Sequence, residues 1–327
     1  MRFVKNLVRQ REFTIVAVII TICIVMSFVS PIFMTFGNIK ALLMGVATTG
    51  LIGVSMCILM VSGGIDMSVG SVMGFSAVIT GMMLKAHCPI ILSILTGLAV
   101  GASIGLLNGF IVCKVGISAF ITTLAGLNMY RGLTYVITHG FHQSDLGARF
   151  NMIGQSTLFG IQLPVYYCII YVIIGDILLR RSRFFRQSYY VGSNVQAARV
   201  SGINTDLVLM FNYAMTGFSA ALAGIIYASR SGSASVTAGQ GMEVKVITAV
   251  IIGGASMAGG EGSVIGAFFG AFLTSLIMNV LTLLSIDVNW QQFVVGATLL
   301  IAVMIDTLNN KRRMNQIRKQ SRRARVD

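Results

Sequence analysis

The sequence predicts an all-α polytopic membrane protein with about ten transmembrane helices and both termini on the cytoplasmic side. Three observations carry this. Of the 327 residues, 55% are hydrophobic and only 10% are charged, where a soluble domain carries about 25% charged residues. Mean hydropathy is +0.84. The apolar residues fall in runs long enough to cross a bilayer, and no long polar stretch could supply a soluble domain, so 1–327 reads as one transmembrane domain. In hydrocarbon, backbone N–H and C=O groups must be paired within the segment, which makes each run a helix.

The first run, 13–34, follows the basic stretch MRFVKNLVRQR. It is longer than a secretory h-region and no A-x-A pattern follows, so it reads as a retained span. Further runs lie at 41–61, 68–84, 90–112, 118–138, 164–180, 207–229, 245–257, 263–285 and 290–307. The run 245–257 is short for a full crossing. Pro89 and Pro164 stand just before spans, where a missing N–H costs nothing.

Lys and Arg set the orientation. With ten spans, the cytoplasmic face collects Arg2, Lys5, Arg9, Arg11, Lys114, the arginines from Arg180 to Arg199 and the basic tail 308–327. The connection 180–206 is then a cytoplasmic loop. The net charge of +14 is thus positional and is no nucleic-acid footprint. The tail sequence KRRMNQIRKQSRRAR has no apolar stripe and suits anionic membrane lipid.

Enzyme signatures are missing. The chain has no Walker A motif and no HExxH. Cys23, Cys57, Cys88, Cys113 and Cys168 are scattered singly through apolar runs and read as small hydrophobes. His87, His139 and His142 lie in short polar connections, with His139 and His142 three apart, and no metal site is expected.

Two stretches echo each other. GGIDMSVGSVMG, 63–74, resembles GGASMAGGEGSVIG, 253–266: a Gly pair, a polar break, then GSVxG opening the next span. This suggests an internal repeat, as in many transporters. In the first stretch, Gly63 and Gly64 end one helix and Asp66 caps the next, with Ser68 an alternative cap. A rival reading sets the break deeper, with helix ends facing a pathway. Gly253 and Gly254 would form the matching hinge. Gly97, Gly101, Gly105 and Gly109 recur on one helix face, as do Gly262, Gly266 and Gly270, which suits close helix packing.

The loop RRSRFFRQSYYVGSNVQAARVSGINTD holds a short helix over 194–201, bounded by a capping box from Ser193 to Gln196 and by Gly202 at C′. It rests on lipid or docks in a partner's groove. Its small residues, Ala197 and Ala198 beside Arg199, favour docking, because a lipid-resting helix wants larger apolar side chains.

Here a resemblance becomes specific. SGGIDMSVGSV (62–72), ITTLAGLNMYRGL (121–133), VGSNVQAARVSGI (191–203), the run from Glu243 to Ala271 and NWQQFVVGATLLIAV (289–303) stand in one order. Together they resemble the permease subunit of ribose-type ABC sugar importers over nearly the whole chain. That family usually has Leu at position 67 and an acidic residue within 194–196; here Met67 and Asn194-Val195-Gln196 stand there. The resemblance implies a non-enzymatic subunit in a bacterial inner membrane, forming the path for a pentose or hexose. It implies a second permease chain, a separate ATPase that binds ATP and magnesium, and a periplasmic or extracellular sugar-binding protein. No cofactor would sit on this chain. The segment from Gly192 to Gly202, including Ser193, Asn194, Gln196, Ala197, Ala198 and Arg199, would be the ATPase-coupling helix.

Intramembrane polar groups are functional candidates by default, and Asn supplies a donor and an acceptor for a sugar. The candidates for the path are Asn108, Thr122, Thr123, Asn128, Arg131, Asn212 and Asn279, each of which could instead be interhelical glue. Arg131 could also snorkel or help receive the binding protein, and Glu243 with Lys245 suggests an outer docking rim. Two rivals stay open: an ABC permease for branched-chain amino acids, and an ion-coupled carrier, for which Asp66 alone is thin as a proton relay.

Overall fold

The computed structural model describes residues 11–323, without the side chains of 11, 12, 309 and 312–323. The N-terminal Arg2, Lys5 and Arg9 and the tail's Arg325 lie outside the described residues. The helices are α1 (Arg11–Val29), α2 (Phe36–Val61), α3 (Val69–Lys85), α4 (Ile90–Phe110, extended by a π-helical turn Ile111–Val115), α5 (Ala119–Thr138), α6 (Ala148–Gln155) and α7 (Leu163–Arg181). They continue with α8 (Arg183–Ser193), α9 (Val195–Val200), α10 (Thr205–Ser231), α11 (Met242–Ile252), α12 (Val264–Leu283) and α13 (Val288–Arg323).

Among the described residues, six helices are long and apolar enough to cross a membrane: α2, α4 with its π turn, α7, α10, α12 and α13 over Val288–Leu308. α1 and α3 are shorter apolar helices. With α5 and α11 they match the ten expected runs in order. The eleven residues of α11 rise roughly 16 Å, about half of a hydrocarbon core.

α2 is the hub. Its best apolar window is 83% buried, which fits a helix that is hydrophobic all round. It packs against α7, α10, α11 and α12. α4 lies along α10 through its glycine stripe: a Cβ on Gly101 or Gly105 would strike the backbone of Gly217 or Tyr213. Lacking Cβ atoms, the two backbones approach closely. The apolar window of α13 is 6% buried, so its side chains face outward.

The bundle has a basic end and an opposite end. Lys114, Arg180, Arg181, Arg183, Arg186 and Arg199 lie where α4 and α7 finish and α10 starts. At the opposite end, the short strands β1 (Gln143–Ser144) and β4 (Ser233–Ala234) pair antiparallel, as do β2 (Thr157–Leu158) and β3 (Ile161–Gln162). α6 seals the end of α10: Ser229 Oγ donates to Phe150 O at 2.7 Å and accepts from Gly154 N at 2.8 Å. Neither α6 nor α8 is expected from the apolar pattern.

Candidate functional site

The two helix breaks meet at the basic end. After Val61 the chain turns through Ser62–Ser68 before α3. Gly63 sits at φ +86°, in the left-handed region that glycine adopts without strain. Gly64 N donates to Leu59 O at 3.0 Å. Asp66 is fully buried. Its Oδ1 accepts from Ser68 N at 2.7 Å and from Ser68 Oγ at 2.6 Å, an Asx-type cap on α3. Ser68 makes no side-chain cap bond; its hydroxyl accepts from Asn108 Nδ2 at 3.0 Å.

In the second break, α11 ends at Ile252 and the chain runs through Gly253–Ser263. Gly253 is the helical C-cap residue, and the left-handed position is Gly254. Ser263 Oγ accepts from Gly266 N at 3.2 Å and caps α12. The breaks are joined directly: Gly260 N donates to Val61 O at 2.8 Å. Gly192 of α8 lies over this junction. A Cβ there would collide with Val61 O and Gly260 N. Three glycine motifs, far apart in sequence, thus converge on one point.

Two further ties bind α8 to the junction. Buried Asn212 donates through Nδ2 to Ser62 Oγ at 3.0 Å and to Ser188 Oγ at 2.9 Å. Tyr189 Oη donates to Gly262 O at 2.8 Å. Burial pushes the Tyr189 hydroxyl up to about 12, so it stays a donor at neutral pH.

α8 hands on to α9 through Asn194, whose Oδ1 accepts from Ala197 N at 2.9 Å. The N-cap is therefore Asn194 rather than Ser193, which ends α8. The reason is backbone geometry: Asn194 is extended, at φ −162°, and so can cap. Ala198 is 3% exposed and packs with Val191 and Val208. It serves the chain's own core and presents nothing to a partner. The outward residues are Val195, Gln196, Ala197, Arg199 and Val200, the last 91% exposed. Arg199 pairs with Asp206 at 3.1 Å and with Thr205 Oγ1 at 2.9 Å, and Lys114 meets Asp206 at 2.7 Å. Gly202, at φ +82°, closes the turn.

Toward the opposite end, residues 235–241 dip into the bundle. Arg131 of α5 clamps them: Nη1 donates to Val236 O and Ala238 O at 2.8 Å, and Nη2 to Gly70 O at 3.2 Å. Arg131 therefore holds backbone rather than snorkelling. Beside this segment is a cavity of about 540 Å³, walled by α2, α10, α11, α12 and α13. Its polar lining includes Thr48, Gln240, Thr248, Thr274, Ser275 and Asn279.

The sequence profile described as "branched-chain amino acid transport system / permease component" matches residues 38–303. The chain is also 36% identical over 308 residues to the ribose import permease protein of Haemophilus influenzae, covering 92% of this chain and 94% of that one. The chain belongs to this family of ABC importer permeases. It is also 36% identical to the Bacillus subtilis ribose import permease protein, over 86% of this chain and 88% of the other. To the autoinducer 2 import system permease protein of Yersinia enterocolitica it is 38% identical, over 78% and 71% of the two chains. No solved structure gives a significant match. Permeases of this family are bacterial inner-membrane proteins, and the apolar helices fit that location.

Of the residues weighed for the permease's path, Asn279 alone lines the cavity, where it also exchanges hydrogen bonds with Asn38 at 3.1 and 2.6 Å. Asn108 and the amide nitrogen of Asn212 are held at the first break, and Asn212 Oδ1 is buried without a partner. Thr122 and Thr123 are buried within the chain, with Thr123 Oγ1 donating to Ala119 O at 2.8 Å. Asn128 lies on the exposed side of α5, its amide donating to Leu124 O at 3.1 Å. The carboxylate of Glu243 turns toward Gly70, while Lys245 lines the cavity. One sequence signal was readable: Ser275, Asn279 and Thr282 recur at i, i+4 and i+7 on α12 and all three line the cavity.

Proposed function

We propose that this chain is the permease subunit of a sugar-importing ABC transporter, carrying a pentose or hexose, with its basic end and both termini in the cytoplasm. A separate ATPase, holding ATP and magnesium, docks on α8 and the outward face of α9. A binding protein delivers sugar to the opposite end, and a second permease chain completes the path. The observation that carries this reading is Gly192. It seats the docking segment on Val61 and Gly260 together, so a push on α8 reaches both helix breaks at once, as a rigid-body switch requires. The ribose import relatives and the positive-inside rule support the substrate class and the orientation.

The profile's description favours a second reading, transport of branched-chain amino acids. An amino acid offers an ammonium group, and the cavity lining carries no carboxylate to meet it. The test is uptake into proteoliposomes by the complete importer, with labelled sugar and labelled leucine in parallel. Sugar uptake that needs ATP, the ATPase and the binding protein is expected. Uptake by the purified chain alone without ATP would overturn the proposal, and leucine uptake would select the second reading.

A further inference from the structure

We infer that the cavity takes an acidic sugar, a monosaccharide-sized polyhydroxylated carboxylate, and that Lys245 and Arg230 receive its charge. The inference rests on the proposal that this chain is a sugar permease and that the cavity belongs to its path. Among the residues lining the cavity, Lys245 and Arg230 are the charged ones, and no Asp, Glu or His lines it. Both are partly buried. Among the described residues neither forms an ion pair, the pairs being Lys114 and Arg199 with Asp206 and Arg180 with Asp176. The nearest acid in sequence, Glu243, turns its carboxylate toward Gly70 and lies between Arg131 and Lys245, feeling both charges without forming an ion pair with Lys245.

Partly buried cations are costly unless paired. Lys245 also lies in the first turns of α11, where the helix dipole opposes a positive charge and favours an anion. A neutral sugar would leave both costs in place. A carboxylate offsets both, while hydroxyl and amide groups such as Thr48, Gln240, Thr274 and Asn279 suit the remaining hydroxyls. The volume of about 540 Å³ is in the range of small-ligand sites.

The test uses proteoliposomes of the complete importer, given labelled D-gluconate, D-galacturonate, D-ribose and D-galactose. ATP-driven uptake of an acid above the neutral sugars is expected. Lys245→Gln should lower acid uptake about tenfold or more, the loss of one charge-assisted hydrogen bond, and Lys245→Arg should restore most of it. The Lys245→Arg comparison separates a charge requirement from misfolding. ATP-driven uptake of the neutral sugars alone, unaffected by Lys245→Gln, overturns this inference and leaves the importer standing. Absence of ATP-driven uptake across the panel overturns the importer reading and this inference with it.

Discussion

Ser62–Ser68 and Gly253–Ser263 each hold a Gly pair and lead into Gly-Ser-Val, yet the first is largely buried, with Gly63 its exposed residue, and the second borders a cleft of about 460 Å³. The first holds Asp66, fully buried and bonded to Ser68, with Asn108 behind it. The second is tied to α13: Asp306 Oδ2 accepts from Ser256 Oγ at 3.2 Å and from Met257 N at 3.1 Å. Its Met257 and Ala258 are exposed. The polar groups of the first break are buried and, apart from Asp66 Oδ2 and Asn212 Oδ1, held by bonds that fix their geometry; Met257 and Ala258 of the second can exchange partners with water. The first break is thus the fixed point of the bundle, and the second is the compliant one. A push on α8 should be taken up mainly in the second.

The largest effect is expected where both breaks are struck together. Gly192→Val places branched atoms against Val61 O and Gly260 N, both backbone. Backbone cannot swing aside as a side chain does, so α8 must lift from the junction at a cost of about 3 kcal/mol or more. A marked fall in the yield of monodisperse protein and loss of ATP-driven uptake are expected. If Gly192→Val purifies and transports like the parent, α8 is not seated on the junction.

The difference between the breaks can be measured by removing their carboxylates in turn. Asp66→Ala removes the cap of α3 and leaves Ser68 N and the buried Ser68 hydroxyl without an acceptor, costing about 2–3 kcal/mol. Asp306→Ala frees Met257 N, on an exposed residue that water can reach, and Ser256 Oγ, which is buried but keeps Asn310 Nδ2 as a partner at 2.8 Å, costing about 1 kcal/mol. Thermal unfolding in detergent should therefore show the larger drop for Asp66→Ala. Equal drops would mean that the two breaks are equally rigid.

How much of this was legible in the sequence follows from the same physics. The ten apolar runs became helices in order, because the bilayer leaves the backbone no other choice. The glycine motifs and Asp66 could be singled out, because they interrupt that pattern. Side-chain direction was hidden. α2 is apolar on every face, so nothing in its sequence says which neighbour each face meets. Asn108, Asn212 and Asn279 look alike in apolar runs, yet two hold the first break and one lines the cavity. Ala198 looked available for docking because alanine suits a buried face and a small exposed one equally. Lys245 stood at the start of a short run and read as a rim, since nothing local shows that residues 235–241 dip into the bundle.

The smallest effect on stability is expected on the outward face of α9, and it bears on whether the compliant break is driven from outside. Val200 is 91% exposed and touches little of the chain, so Val200→Arg should change thermal stability by no more than about 0.5 kcal/mol. If an ATPase docks there, the added charge and bulk must be desolvated at the interface, and stimulation of ATP hydrolysis by loaded binding protein should fall. The two readouts divide the possibilities. Lost stimulation at parental stability places the docking surface on α9. Parental stimulation removes α9 from the interface and leaves α8, with Tyr189 and Gly192 on the junction, as the part of the loop that a partner must push.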